Sequence, residues 1–293
     1  MRSFLFFFLV TQFLFAQEDL LHQKFFNKVK MIADQSEAIV GVAIKDLKTG
    51  EQILINEKEI FPTASSIKIF ILTEVYRQAS EGKFKLTDIR PLPPSARVAG
   101  SGVLSMLGDK SVSMSIRDYC VLMMNLSDNT ATNFLIDLVG MKNVNDVAQK
   151  NGSSSTKLQR IMMDVQSAKE GRENISSPND FLIILEKMYR GEIVSKQACD
   201  DMLSIMKLEK EGPLKSGLPS SVLIADKAGD IEGVKCDVGI VFLEGNPYII
   251  CVMTKMLLND KDGGTIITTI SKEAYGYIER KANSNQYGRR IPK

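Results

Sequence analysis

The stretch Phe61–Tyr76 reads FPTASSIKIFILTEVY, and Lys68 stands in the middle of its apolar run, three residues after Ser65. The apolar spacing predicts a helix from about Ser65 to Glu81, stopped by Gly82. Residues three apart on a helix share a face, so the Lys68 amine can reach the Ser65 hydroxyl. Ile67, Ile69, Phe70, Ile71 and Leu72 surround Lys68. Such surroundings disfavour the charged form of a lysine and lower its pKa. A neutral amine can take a proton from serine. The alternative is a helix lysine that carries its ammonium out to solvent along an apolar stem.

The pattern S-x-x-K is weak by itself, occurring at Ser65/Lys68, Ser80/Lys83, Ser154/Lys157 and Ser204/Lys207. Only Lys68 lies in an apolar run. Histidine usage narrows the chemistry further. The single histidine is His22, close to the N-terminus. A Ser-His-Asp triad and a histidine-rich zinc site are therefore both excluded. Any serine nucleophile in this chain must find another base. Cys120, Cys199, Cys236 and Cys251 show no metal-ligand spacing and read as small buried hydrophobes.

A chain of 293 residues with 44% hydrophobic and 25% charged residues has ample material for a core. The formal charge of +2 comes without a long basic block, so nucleic acid is not expected as a partner. The chain opens MRSFLFFFLVTQFLFAQED, one arginine followed by an apolar run and Ala16. This fits a secretion signal at 1–16, cleaved after Ala16. An uncleaved anchor is the alternative, but Thr11 and Gln12 interrupt a run already short of the about 20 apolar residues a span needs. A periplasmic or secreted protein, with no membrane span once the signal is removed, is expected.

Residues 18–34 read as a helix. AIVGVAIKDLKTGEQILINE follows as a hairpin around Lys48-Thr49-Gly50. A Pro- and Ser-rich loop runs from Pro91 to Ser101. Helical patterns then dominate to about residue 211, one of them opened by Ser177-Pro178 as cap and first helical position. SVLIADKAG, KCDVGIVFLEG and PYIICVMTK read as three strands, with a turn at Glu244–Pro247, and GTIITTISKEAYGYIERK as a closing helix. Strands at both ends and helices between them predict an α/β architecture, an α+β sandwich. Its antiparallel sheet is built from both chain ends and flanked by helices, with an all-helical lobe inserted. The expected units are an α/β lobe of about 17–62 and 213–293 and a helical lobe of about 63–212. A cleft between them is the natural place for a site.

Two later segments carry chemistry. NLSDNTATNFLI contains Ser127-Asp128-Asn129, and IADKAGDIEG contains Lys227-Ala228-Gly229 at the end of an expected strand. Ser-x-x-Lys, Ser-Asp-Asn and Lys-(Thr)-Gly, in that order, are the set shared by class A β-lactamases and penicillin-binding proteins. The chain resembles the class A β-lactamase family, including relatives described only as serine hydrolases, over nearly all of 17–293. The resemblance implies Ser65 as the nucleophile that becomes acylated and Lys68 as the group that helps deprotonate it. It implies Ser127 as the proton relay to the departing nitrogen. Asn129 would bind the substrate's amide side chain, and Lys227 its carboxylate. Gly229 would let substrate lie along the strand edge. The backbone N–H groups of Ser65 and Asp230 would form the oxyanion hole. Asp128 is expected to hold the turn.

Two departures stand out. Relatives usually have Thr or Ser where this chain has Ala228, which removes a hydroxyl from the carboxylate site. Class A enzymes also carry a glutamate that activates the deacylating water. In RIMMDVQSAKEGRENISSP, Gln166 stands where that glutamate is expected, and an amide cannot act as a general base. Asp164, Glu170 and Glu173 are nearby. Three readings follow: a β-lactamase, a penicillin-binding or sensing protein arrested at the acyl-enzyme, and a DD-peptidase or amidase acting on peptidoglycan fragments. The first is adopted. The expected ligand is a small β-lactam or peptidoglycan-like molecule. No cofactor and no metal are implied, and a monomer is expected.

Overall fold

Asp19 opens the first helix by accepting the backbone N–H groups of Leu21 and His22. The computed structural model describes residues 19–108 and 111–291. The proposed secretion signal lies outside them. Helix α1 (Leu20–Gln35) leads into the hairpin β1 (Ile39–Asp46) and β2 (Gln52–Ile55), turned at Gly50 with φ of 79°. A short strand β3 (Phe61–Pro62) precedes α2 (Lys68–Ser80). The first turn of the expected helix is separate from the rest. Residues 64–67 form a tighter 3₁₀ turn, and Ser65 sits on it rather than in α2.

Strand β4 (Ile89–Pro91) pairs with β5 (Ser113–Ser115), so the inserted part carries a small ladder among its helices. Helices α3 (Ile116–Asn125), α4 (Asn129–Val139) and α5 (Met141–Lys150) follow, then the short α6 (Val165–Lys169). Strand β6 (Ile175–Ser176) pairs with β3 and precedes α7 (Pro178–Arg190), capped by Ser177 and stopped by the left-handed Gly191. Helices α8 (Lys196–Met206) and α9 (Pro213–Ser216) lead to β7 (Leu223–Ile231), β8 (Val234–Phe242) and β9 (Tyr248–Lys255). The chain closes with α10 (Asp260–Ala282).

The main sheet runs β2-β1-β9-β8-β7 and is antiparallel throughout. Its two faces bury different cores. Val40, Val42, Ile250 and Val252 pack under α1 and α10, where the Phe25 and Tyr277 rings stack 4.3 Å apart. Ala43, Cys251 and Val238 face the other way, toward α2, α7 and α8. The N-terminal turns of α2 are buried all round because α2 runs through the middle of the helical layer, against α3, α4, α5 and α8. All four cysteines are buried free thiols. No described helix is long and apolar enough to cross a membrane. Strand β7 is an edge of the sheet, and the turn bearing Ser65 packs against it.

Candidate active site

Four oxygens surround the Lys68 amine. Its Nζ lies 2.9 Å from Ser65 Oγ and 3.0 Å from Ser127 Oγ. It also lies 2.8 Å from the Ser127 carbonyl and 3.1 Å from Asn129 Oδ1. The carbonyl and the amide oxygen can only accept hydrogen bonds, whereas the two hydroxyls can also donate. A neutral amine has two hydrogens and one lone pair. It can satisfy both obligate acceptors and still take a hydrogen from a serine. Burial pushes the Lys68 pKa well below its ordinary value, and the Lys227 ammonium lowers it further against a smaller opposing pull from Asp128. The other three S-x-x-K pairs have no such setting. Lys83 and Lys157 are exposed, and Lys207 lies 3.7 Å from the centroid of the Phe242 ring.

Ser127 reaches Lys68 with both of its oxygens because it adopts a left-handed backbone, with φ of 53°. That conformation is costly for a residue with a Cβ, and its surroundings hold it in place. Asp128 supplies much of that restraint. It is buried, caps α4 through the N–H of Ala131, and accepts the N–H groups of Val103 and Leu104 at 2.7 and 2.9 Å. Replacing Asp128 by alanine should cost about 3 kcal/mol in urea unfolding, since three backbone donors lose an acceptor. The same variant should release Ser127 from its left-handed backbone and loosen its contacts with Lys68.

On the opposite wall, Lys227 donates to Ser127 Oγ at 3.1 Å and to the Ala228 carbonyl at 2.8 Å. Burial lowers its pKa to about 8, against the negative charge held by the Asp237 and Asp226 carboxyl pair behind it. Gly229 lies directly against the Ser65 turn. A Cβ there would sit 2.5 Å from the Thr63 carbonyl and 2.9 Å from the Ser65 nitrogen. Asp230 and Ser65 line one cavity of about 580 Å³, with Asn129 beside them.

The loop of residues 160–174 forms the far side of that cavity. Gln166 is not where its sequence position suggested. It is exposed on α6, donates to Glu170 at 2.6 Å, and does not line the cavity. Met162 does line it and is buried. Asn133 on α4 holds the Met162 backbone from both sides, accepting its N–H at 2.8 Å and donating to its carbonyl at 3.2 Å. Asp164 lies on the cavity wall, but its carboxylate accepts from the Ser167 hydroxyl and backbone N–H. The hydroxyl bond first, then the backbone bond, hold its pKa below the ordinary value. Glu173 is paired with Arg160 at 2.6 Å. The Asn133 clamp was open to sequence reasoning, because Asn129 and Asn133 are four apart and share a face of α4.

The chain is similar to known proteins over most of its length. A family model for the beta-lactamase enzyme family matches residues 24–278. The β-lactamase CARB-3 of Pseudomonas aeruginosa is 28% identical over 205 residues, covering 69% of this chain and 70% of that protein. A β-lactamase of Bacteroides uniformis is 24% identical over 268 residues, covering 85% and 89%. Among solved structures, a β-lactamase from Sphaerobacter thermophilus superposes with a TM-score of 0.81 at 29% identity, covering 87% of this chain and 97% of that one. PBP-A superposes with the same TM-score at 28% identity, covering 87% and 96%. With the matched span running from α1 into α10, the chain belongs to the class A β-lactamase family.

Proposed function

We propose that this protein is a serine hydrolase that opens the β-lactam amide through a covalent acyl-enzyme on Ser65. The observation that carries the reading is the buried Lys68 amine between the Ser65 and Ser127 hydroxyls, with two obligate acceptors to take its hydrogens. Lys68 accepts the Ser65 proton as Oγ attacks the lactam carbonyl. The backbone N–H groups of Ser65 and Asp230 receive the oxyanion. The C–N bond breaks as Ser127 gives its proton to the departing nitrogen, and Ser127 is reprotonated from Lys68. Lys227 holds the substrate's carboxylate and Asn129 its amide side chain. Export, a monomeric state and a role in antibiotic resistance belong to the same reading.

The loop facing Ser65 favours slow release of the acyl group. Met162 offers a thioether, Glu173 is held by Arg160, and the lowered pKa of Asp164 makes it a weak base. Gln166 lies outside the cavity. A variant of PBP-A, 28% identical to this chain, has been captured as an acyl-enzyme complex with penicillin G.

Mixing the protein with a chromogenic cephalosporin, with intact mass and hydrolysis followed together, tests both steps. The expected result is one acyl adduct per chain in a burst, then slow turnover, with Ser65→Ala giving neither. Fast turnover without an accumulating adduct would show that a cavity group activates water after all. Absence of both adduct and turnover would remove β-lactams as substrates and favour a peptidase acting on peptidoglycan fragments.

A further inference from the structure

On the face of the sheet opposite Lys227, two carboxyl groups are buried together. Asp226 on β7 pairs with Gly239, and Asp237 on β8 pairs with Ala228, so the two aspartates are diagonal neighbours on one face. Both are buried. Gly212 roofs them: a Cβ there would lie 3.2 Å from Asp237 Oδ2 and 3.3 Å from Asp226 Oδ2. Asp237 Oδ2 accepts the Leu214 N–H at 2.9 Å. Lys210 Nζ stands 3.1 Å from Asp226 Oδ1, out of line for a hydrogen bond, and donates to the Met206 carbonyl at 2.5 Å. Among the described residues, no group donates to either oxygen of Asp226 or to Asp237 Oδ1.

Three buried acceptors without donors are expensive, and so are two adjacent buried negative charges. One proton relieves both costs, because a protonated carboxyl is a donor and is neutral. Asp237 is suited to hold it. Burial first, then the charge of Asp226, push its pKa well above the ordinary value. Asp226 has the Lys210 ammonium against its Oδ1. The groups acting on Lys227 are these two aspartates behind it and Lys210 beside them; Lys68 faces it across Ser127. A metal ion is a poor alternative occupant, since Lys210 already places a positive charge there.

We propose that Asp226 and Asp237 share a single proton, and that the negative charge they retain keeps Lys227 cationic for the carboxylate of the substrate. Both are positioning residues, acting through Lys227. The role of Lys227 rests on the acyl-enzyme reading above.

The test is the pH profile of acylation for Asp226→Asn and Asp237→Asn, with a cephalosporin and with its methyl ester. In Asp226→Asn the basic limb should move down by about one pH unit, and only for the free carboxylate. In Asp237→Asn it should stay in place, since asparagine imitates a neutral acid. Equal movement in both variants, or none in Asp226→Asn, would overturn the proposal. A second readout needs neither variant to fold. The native protein at neutral pH should show the infrared carbonyl band of a buried protonated carboxylic acid, and its absence would also overturn the shared proton. The infrared readout reports on the pair whether or not Ser65 is ever acylated, which separates failure of this proposal from failure of the acyl-enzyme.

Discussion

Lys68→Met should lower the rate of Ser65 acylation by about 10²–10⁴-fold while leaving the melting temperature unchanged or higher. The rate falls because the amine hydrogen-bonded to the Ser65 hydroxyl is removed. The fold survives because methionine suits the apolar surroundings of α2, and the cost of burying an amine disappears. Lys68→Arg sharpens the test. A guanidinium keeps donors near the Ser127 carbonyl and Asn129 but has no lone pair for a proton. It should be as inactive as methionine, and substantial acylation by Lys68→Arg would remove Lys68 from the role of base. The native enzyme should show a bell-shaped pH profile. At low pH Lys68 is protonated and cannot accept the Ser65 proton. Above about pH 8 Lys227 loses its charge and its hold on the substrate's carboxylate. Stopped-flow acylation across pH reads both limbs.

Gly229→Ala should cost about 2–3 kcal/mol and lower kcat/KM by roughly 10²-fold. The added methyl would meet backbone on every side: the Thr63 carbonyl and the Ser65 and Ser66 nitrogens lie within 3.0 Å of it. No flexible side chain can move to make room. Strand β7 would have to withdraw from the Ser65 turn, stretching the bond from Ser66 Oγ to the Lys227 carbonyl, now 3.1 Å. Gly276→Ala is the control, because a Cβ there meets nothing within 4 Å and lies within α10. It should stabilise the protein by up to about 1 kcal/mol. Chemical denaturation and steady-state kinetics on the two variants separate steric exclusion from a general effect of replacing glycine.

Much of this was legible in the sequence because it depends on local spacing. A lysine inside IKIFIL has few places to go other than a buried helix, and the alternating runs at both chain ends announce a shared sheet. The loop of residues 160–174 was harder. Its register is set by contacts distant in sequence: Asn133 grips Met162, Arg160 holds Glu173, and the Asn174 carbonyl takes the Thr63 N–H. Counting along the chain therefore chose Gln166, while the fold turns Met162 into the cavity. The 3₁₀ turn at 64–67 was hidden for a related reason. A single apolar run looks the same whether it begins as a tight or a regular helix, and the close approach of β7 bears on only one of them. Asp237 carried a readable signal, a charge inside the otherwise apolar strand of KCDVGIV, whose meaning depended on Asp226 lying diagonally across from it.

The middle of the sheet joins the beginning of the chain to its end, with Ile39 opposite Lys255 and Asp46 opposite Tyr248. This arrangement imposes an order on biosynthesis. When β1 and β2 leave the ribosome they form at most a two-stranded hairpin, which is marginal in water. Their third strand arrives only after the whole helical insert has been made. Closing so long a loop carries an entropy cost before any β1–β9 contact can repay it. The helices, built from local contacts, can form while the hairpin waits. Strand β7 comes late as well, so Lys227 and Gly229 reach the Ser65 turn near the end of assembly. Ser65 and Lys68 lie on one local segment, but the wall that completes the proposed site is added last.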